Sequence, residues 1–159
     1  MNSQASENNA KEGRRGIKRG LNNQTNRRRK RILLVDDEPD ICIVYQMGLE
    51  DTSRYECKPY KDPVKALQEF RPNYYDLILL DIKMPVLNGF ELCKKIRECD
   101  KAVQIIFITA AEESFYKNFG KQYYPQLSND INIKYVQKPI GNEELVKIVN
   151  MVMATKDTN

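Results

Sequence analysis

Two short apolar runs, Ile32-Leu33-Leu34-Val35 and Leu77-Ile78-Leu79-Leu80, each end abruptly in acid, the first in Asp36-Asp37-Glu38 and the second in Asp81. Such runs, bounded by polar residues, read as strands buried on both faces, the mark of a parallel sheet covered by helices. A carboxylate fixed at the mouth of a buried strand is costly unless a cation or a reaction needs it there. Two strands that end this way imply one acidic pocket.

From Arg31 onward, β-rich runs alternate with amphipathic stretches in five strand-then-helix repeats, which places the chain in the α/β class. The strands are expected at 32–36, 55–59, 76–81, 104–109 and 134–137. Helix starts follow the caps: Pro39 in a first turn, Asp62-Pro63 as N-cap and N1, Asn88 with Glu91 as a capping box, and Asn142 before Glu143-Glu144. These give helices near 39–50, 63–71, 89–98 and 142–154. A fourth helix is expected from Glu112 to about Phe119, where Gly120 and Pro125 interrupt the pattern and a loop or short turn leads to Asn132.

Composition removes several classes of function. The chain has no histidine, so histidine triads, histidine zinc sites and a phosphohistidine carrier are excluded. Its four cysteines, Cys42, Cys57, Cys93 and Cys99, lack C-x-x-C spacing, and the chain opens without an apolar leader, so reduced, mostly buried thiols in an intracellular, cytoplasmic protein are expected. No apolar stretch approaches the ~20 residues that cross a bilayer, so no membrane partner is expected.

The net charge of +4 hides a division: residues 1–31 hold ten Lys/Arg and two Glu, a net +8, and the remainder carries −4. Residues 1–30, with Ile17 and Leu21 as their only sizeable apolar side chains, are expected to form a basic arm that is disordered in isolation. The domain is expected over 31–154, with a short tail at 155–159. The arm's densest cluster, Arg27, Arg28, Arg29, Lys30 and Arg31, suits nucleic-acid phosphates, and equally a solubilising tail or a contact for acidic partners. No helix-turn-helix pattern accompanies it, and no stacking aromatic lies among these cations.

In an open α/β sheet, ligands bind outside the carboxyl ends of the strands near the point where strand order reverses. Asp36, Asp37, Asp81, Thr109 and Lys138 all fall at or just past such ends, so they are expected to converge. Three crowded carboxylates repel one another, so the cluster is tolerable only if a divalent cation sits among them or some are protonated, and an all-oxygen donor set favours Mg²⁺. A carboxylate so held can attack a phosphoryl donor, with Lys138 and the Thr109 hydroxyl stabilising the transferred oxygens. Read singly, each residue has a plainer explanation: Asp caps helices, Thr and Tyr135 suit strands, and lysine is usually a solvated surface group.

Taken together, Asp36-Asp37, then Asp81-x-x-Met84-Pro85-x-x-x-Gly89, then Thr109-Ala110, then Lys138-Pro139 resemble the receiver domain of two-component response regulators. The resemblance covers about Arg31 to Ala154 and implies a flavodoxin-like, doubly wound (βα)5 sandwich with strand order 2-1-3-4-5. It implies that Asp81 is the phosphoacceptor, that Asp37, Asp81 and the Lys83 backbone carbonyl bind Mg²⁺ directly, and that Asp36 reaches it through water. It also implies a cis bond between Lys138 and Pro139, Thr109 as switch hydroxyl, and Tyr135 as the aromatic that turns inward after phosphorylation. Output would then pass through the fourth helix, fifth strand and fifth helix. Two departures fall on that face: the span from Thr109 to Tyr135 is longer than the family pattern, and Tyr123-Tyr124-Pro125 replaces a small-residue stretch.

The expectation is therefore a stand-alone response regulator that ends near Ala154 without an effector domain. It would take phosphate from a histidine kinase or phosphotransfer protein, signal to a downstream protein effector, and carry a phosphorylation-dependent homodimer among its possible assemblies. It is not expected to be an enzyme beyond self-catalysed phosphorylation and dephosphorylation. The rivals are a nucleic-acid-binding regulator working through the basic arm and a non-phosphorylated docking module. A phosphatase of the dehalogenase type is disfavoured because Lys83 stands where such enzymes need a second Asp.

Overall fold

The computed structural model describes residues 28–156. Arg27, with the arm before it, and residues 157–159 of the expected tail lie outside the described residues. Five parallel strands, β1 (Lys30–Val35), β2 (Tyr55–Tyr60), β3 (Leu77–Leu80), β4 (Gln104–Thr109) and β5 (Ile133–Gln137), form one sheet in the order β2-β1-β3-β4-β5. Between and after them run α1 (Pro39–Glu50), α2 (Pro63–Gln68), α3 (Gly89–Cys99), α4 (Glu113–Tyr123) and α5 (Asn142–Lys156). The expected doubly wound α/β fold is the fold observed.

Alternation along the central strands explains their unbroken apolar runs. Leu33, Val35, Ile78, Leu80 and Phe107 turn to one face, where they meet Ala66 of α2, Phe90 and Ile96 of α3 and Tyr116 of α4. Ile32, Leu34, Leu77, Leu79 and Ile106 turn to the other and meet Tyr45 and Leu49 of α1 with Leu145 and Val149 of α5. Each such side chain, fully buried, contributes about 1.5–3 kcal/mol.

At α2 and α3 the caps set the helix starts as expected, whereas Asn142 falls inside α5 and its buried side-chain oxygen has no hydrogen-bond partner among the described residues. The Asp62 carboxylate accepts from the N–H groups of Val64 and Lys65, and Asn88 and Glu91 form a reciprocal capping box. Several boundaries differ from the sequence expectation. α2 stops at Gln68 rather than 71, because Arg71 precedes Pro72 and a residue before proline is pushed out of helical geometry. α4 runs through Gly120 to Tyr123 and is followed by a 3-10 turn, Pro125–Asn129, because Gly120 meets a packing demand: a Cβ there would collide with Leu127 and Phe90. β1 begins at Lys30 and α5 continues to Lys156, so Lys30 and Arg31 belong to the sheet.

Candidate functional site

β1 pairs with β2 on one side and β3 on the other, so the strand order reverses beside it. Val35 is in register with Leu80, which sets the next residues, Asp36 and Asp81, side by side at the carboxyl rim. The Asp81 N–H donates to the Val35 carbonyl at 2.9 Å, and the Asp36 N–H to the Tyr60 carbonyl at 3.1 Å. Asp36, Asp37 and Asp81 each offer a carboxylate oxygen, and these atoms lie within 4.8 Å of one another. Asp36 and Asp81 are buried; Asp37 is partly exposed.

Lys138 enters from the end of β5. Its N–H donates to the Thr109 carbonyl at 2.8 Å, and its peptide bond to Pro139 is cis. The ammonium donates to Asp36 Oδ2 at 2.8 Å and lies 3.4 Å from both Asp81 Oδ1 and Glu38 Oε1. Burial pushes the Asp81 carboxyl up to about 6; the Lys138 charge opposes this rise and the Asp36 charge adds to it. Burial also weighs against the Lys138 ammonium, but its hydrogen bond to Asp36 and the charges of Asp81, Asp36 and Glu38 outweigh it and hold the group above the ordinary lysine value.

Three carboxylates facing one ammonium leave negative charge uncompensated, and their donors are all hard oxygens. The donor set fits a magnesium ion. The loop after Asp81 is shaped by contact with it: the Gly89 N–H donates to the Ile82 carbonyl at 2.9 Å, and a Cβ on Gly89 would strike the Asp81 carbonyl. In the same loop Val86 sits at φ 70°, a left-handed conformation that a β-branched residue adopts only under strain.

Thr109 ends β4, is fully buried, and its hydroxyl oxygen accepts from the Ala111 N–H at 3.1 Å, which leaves its own proton free to donate. Tyr135 is not in the pocket. It lies half-buried behind it, stacked on Phe107 at 5.2 Å and on Tyr116 of α4 at 4.3 Å, an inward position. Lys83 is exposed, its ammonium 5.2 Å from the centre of the Phe115 ring. The basic residues gather at the opposite, amino end of the sheet. There Arg28 pairs with Asp76 at 3.2 Å, Arg29 is exposed, Lys30 opens β1, and Arg31 lies 4.1 Å over the Tyr74 ring.

Sequence reading missed Glu38 as a partner of Lys138 and Tyr116 as the ring against Tyr135. The acidic run 36–38 carried a signal for the first. Nothing in the linear pattern marked the second.

The fold and the rim have the arrangement of a receiver domain, and comparison with known proteins agrees. The family model described as the response regulator receiver domain matches residues 32–150, and the chain belongs to that family, the receivers of two-component systems. Among curated relatives, the response regulator ArlR of Staphylococcus aureus strain Mu50 is 31% identical over 122 residues, covering 77% of this chain and 52% of the relative. The chain thus spans about half the length of the curated relatives it matches. Among solved structures, a CheY-like receiver domain protein from Methanospirillum hungatei JF-1 aligns with TM-score 0.67 and 22% identity over 82% of this chain and 98% of that one. The chemotaxis response regulator CheY4 of Vibrio cholerae aligns with TM-score 0.63 and 28% identity, over 79% and 99%.

Proposed function

We propose that this receiver accepts a phosphoryl group on Asp81 from a histidine kinase or phosphotransfer protein and passes the signal to a downstream protein by contact. The observation that carries this reading is the cluster itself: three carboxylate oxygens within 4.8 Å of one another, with the Lys138 ammonium 3.4 Å from the buried acceptor.

In this mechanism one Asp81 oxygen attacks the phosphorus, the bond from phosphorus to the donor breaks, and the donor leaves with that electron pair. Lys138 holds positive charge beside the oxygens that gain it, and the Thr109 hydroxyl donates to one of them. Attack of water on the same phosphorus later returns the free carboxylate. Asp37, Asp81 and the Lys83 backbone carbonyl would hold magnesium directly, and Asp36 through water. When bound, the ion neutralises the carboxylates and offsets charge on the phosphoryl oxygens. Thr109 and Tyr135 form the switch, a population shift in which phosphate contacts favour one arrangement of the rim over another.

We place this activity in the cytoplasm; among the described residues no helix is long and apolar enough to cross a membrane. A phosphorylation-dependent homodimer is one assembly through which the α4-β5-α5 face would act. The test is incubation with a small phosphodonor, read by intact mass. Wild type should gain one phosphoryl group with Mg²⁺ and none after chelation, and Asp81→Asn should gain none in either condition. Labelling of Asp81→Asn to the wild-type level, or an unlabelled wild type, sinks the reading.

A further inference from the structure

Because α2 ends after six residues, it leaves part of the β1-β2 surface uncovered. The resulting cleft, about 450 Å³ in volume, is bounded by the β2 edge, the end of α2 and the segment leading into β3. That volume lies within the range of small-ligand sites. Its charged lining consists of Arg31, Lys58 and Arg71 against Glu56 and Glu69. Glu69 is already engaged: it accepts from the Tyr60 hydroxyl at 2.6 Å and lies 4.0 Å from Lys58 and 3.9 Å from Lys65.

The two arginines are placed differently. The Arg31 guanidinium lies 4.1 Å over the Tyr74 ring and that of Arg71 lies 5.5 Å from the same ring. Among the described residues neither has a carboxylate within ion-pair distance, although Glu56 is the register partner of Arg31. Arg31 Nε is buried and has no acceptor, which leaves a desolvated donor uncompensated. Two guanidiniums beside one aromatic ring, neither in an ion pair among the described residues, present a fork suited to a phosphate group. Phe70 supplies a further aromatic wall. Aromatic and cationic side chains interleaved in this way recognise a base together with its phosphate. The sequence alone showed no aromatic among the basic residues near Arg31; the fold brings Tyr74 to them from the far side of β2 and α2.

We propose that this cleft binds a nucleoside phosphate, the phosphate between Arg31 and Arg71 and the base against Phe70. None of the residues that line the cleft belongs to the acidic cluster of Asp36, Asp37 and Asp81. The same chemistry is offered by a free nucleotide and by single-stranded nucleic acid, so the test carries both.

The full chain is titrated without Mg²⁺ against AMP, a short single-stranded oligonucleotide and inorganic phosphate, and again as Asp81→Asn, Arg31→Gln and Arg71→Gln. AMP or the oligonucleotide should bind more tightly than phosphate. Affinity should fall about tenfold in each arginine variant, the order of one lost charge-assisted contact, and stay unchanged in Asp81→Asn. Arg71 is exposed, so its variant remains informative if Arg31→Gln fails to fold. Tighter AMP binding identifies a free nucleotide, and tighter oligonucleotide binding a nucleic acid. Absence of saturable binding at millimolar ligand, equal affinity for AMP and phosphate, or equal affinity in Arg71→Gln and wild type overturns the proposal.

Discussion

Asp81 is held in a state that opposes its own charge. Burial raises its carboxyl from an ordinary value of 3.8 to about 6 in the metal-free protein. A raised acid pKa means that the folded chain binds this proton more tightly than the unfolded chain does. The stability it contributes is therefore complete below about pH 4 and is lost as the pH rises through about 6, a change of roughly 2–3 kcal/mol. Replacing the carboxyl with a neutral amide should remove that loss. Asp81→Asn is expected to be about 2 kcal/mol more stable than wild type at pH 7.5 without metal, with the gap closing near pH 4, read from urea unfolding. Magnesium at pH 7.5 should recover part of the deficit in wild type and little in the variant. Equal stability of the two proteins at pH 7.5 would show that the pocket does not strain Asp81.

At the scale of elements, α4 shows a local rule overridden by packing. Alanine at a helix-interior glycine ordinarily stabilises by about 1 kcal/mol. At position 120 the added methyl meets Leu127 and Phe90, and crowding a packed core costs about 1–3 kcal/mol. Gly120→Ala should therefore be destabilised by about 1 kcal/mol, and Leu127→Ala in the same chain should relieve part of that cost. A Gly120→Ala protein more stable than wild type would contradict the packing account. The same helix marks where sequence reading ran out. The strand-end acids and the caps at Asp62 and Asn88 were legible because their causes are local: period, burial and a hydrogen bond two or three residues away. Where α4 ends depends on Leu127 folding back on it, and where α2 ends on a proline four residues beyond its last turn. The rings of Tyr116 and Tyr135 are nineteen positions apart, so no window of sequence could show them stacked.

Across the whole molecule, a stack of three rings joins β4, the strand that ends in Thr109, to α4. Thr109 and Phe107 are two residues apart on β4 and share a face, Phe107 stacks on Tyr135, and Tyr135 stacks on Tyr116 with ring centres 4.3 Å apart and planes 5° apart. The first turn of α4 is weakly tied, since Glu112 at its N-cap makes no side-chain cap bond. On the proposed mechanism, a shift of Thr109 toward a phosphoryl oxygen would move the ring stack and with it the start of α4. Stacked pairs are worth about 0.5–1.5 kcal/mol beyond buried area, so a double-mutant cycle of Tyr116→Leu and Tyr135→Leu should return a coupling of about 1 kcal/mol. Phosphodonor treatment of wild type should change hydrogen exchange across Glu113–Tyr123. In Tyr135→Leu that change should shrink severalfold while Asp81 is still labelled. An undiminished response in the variant would mean that the signal reaches α4 by another route, such as the loop where Lys83 rests against Phe115.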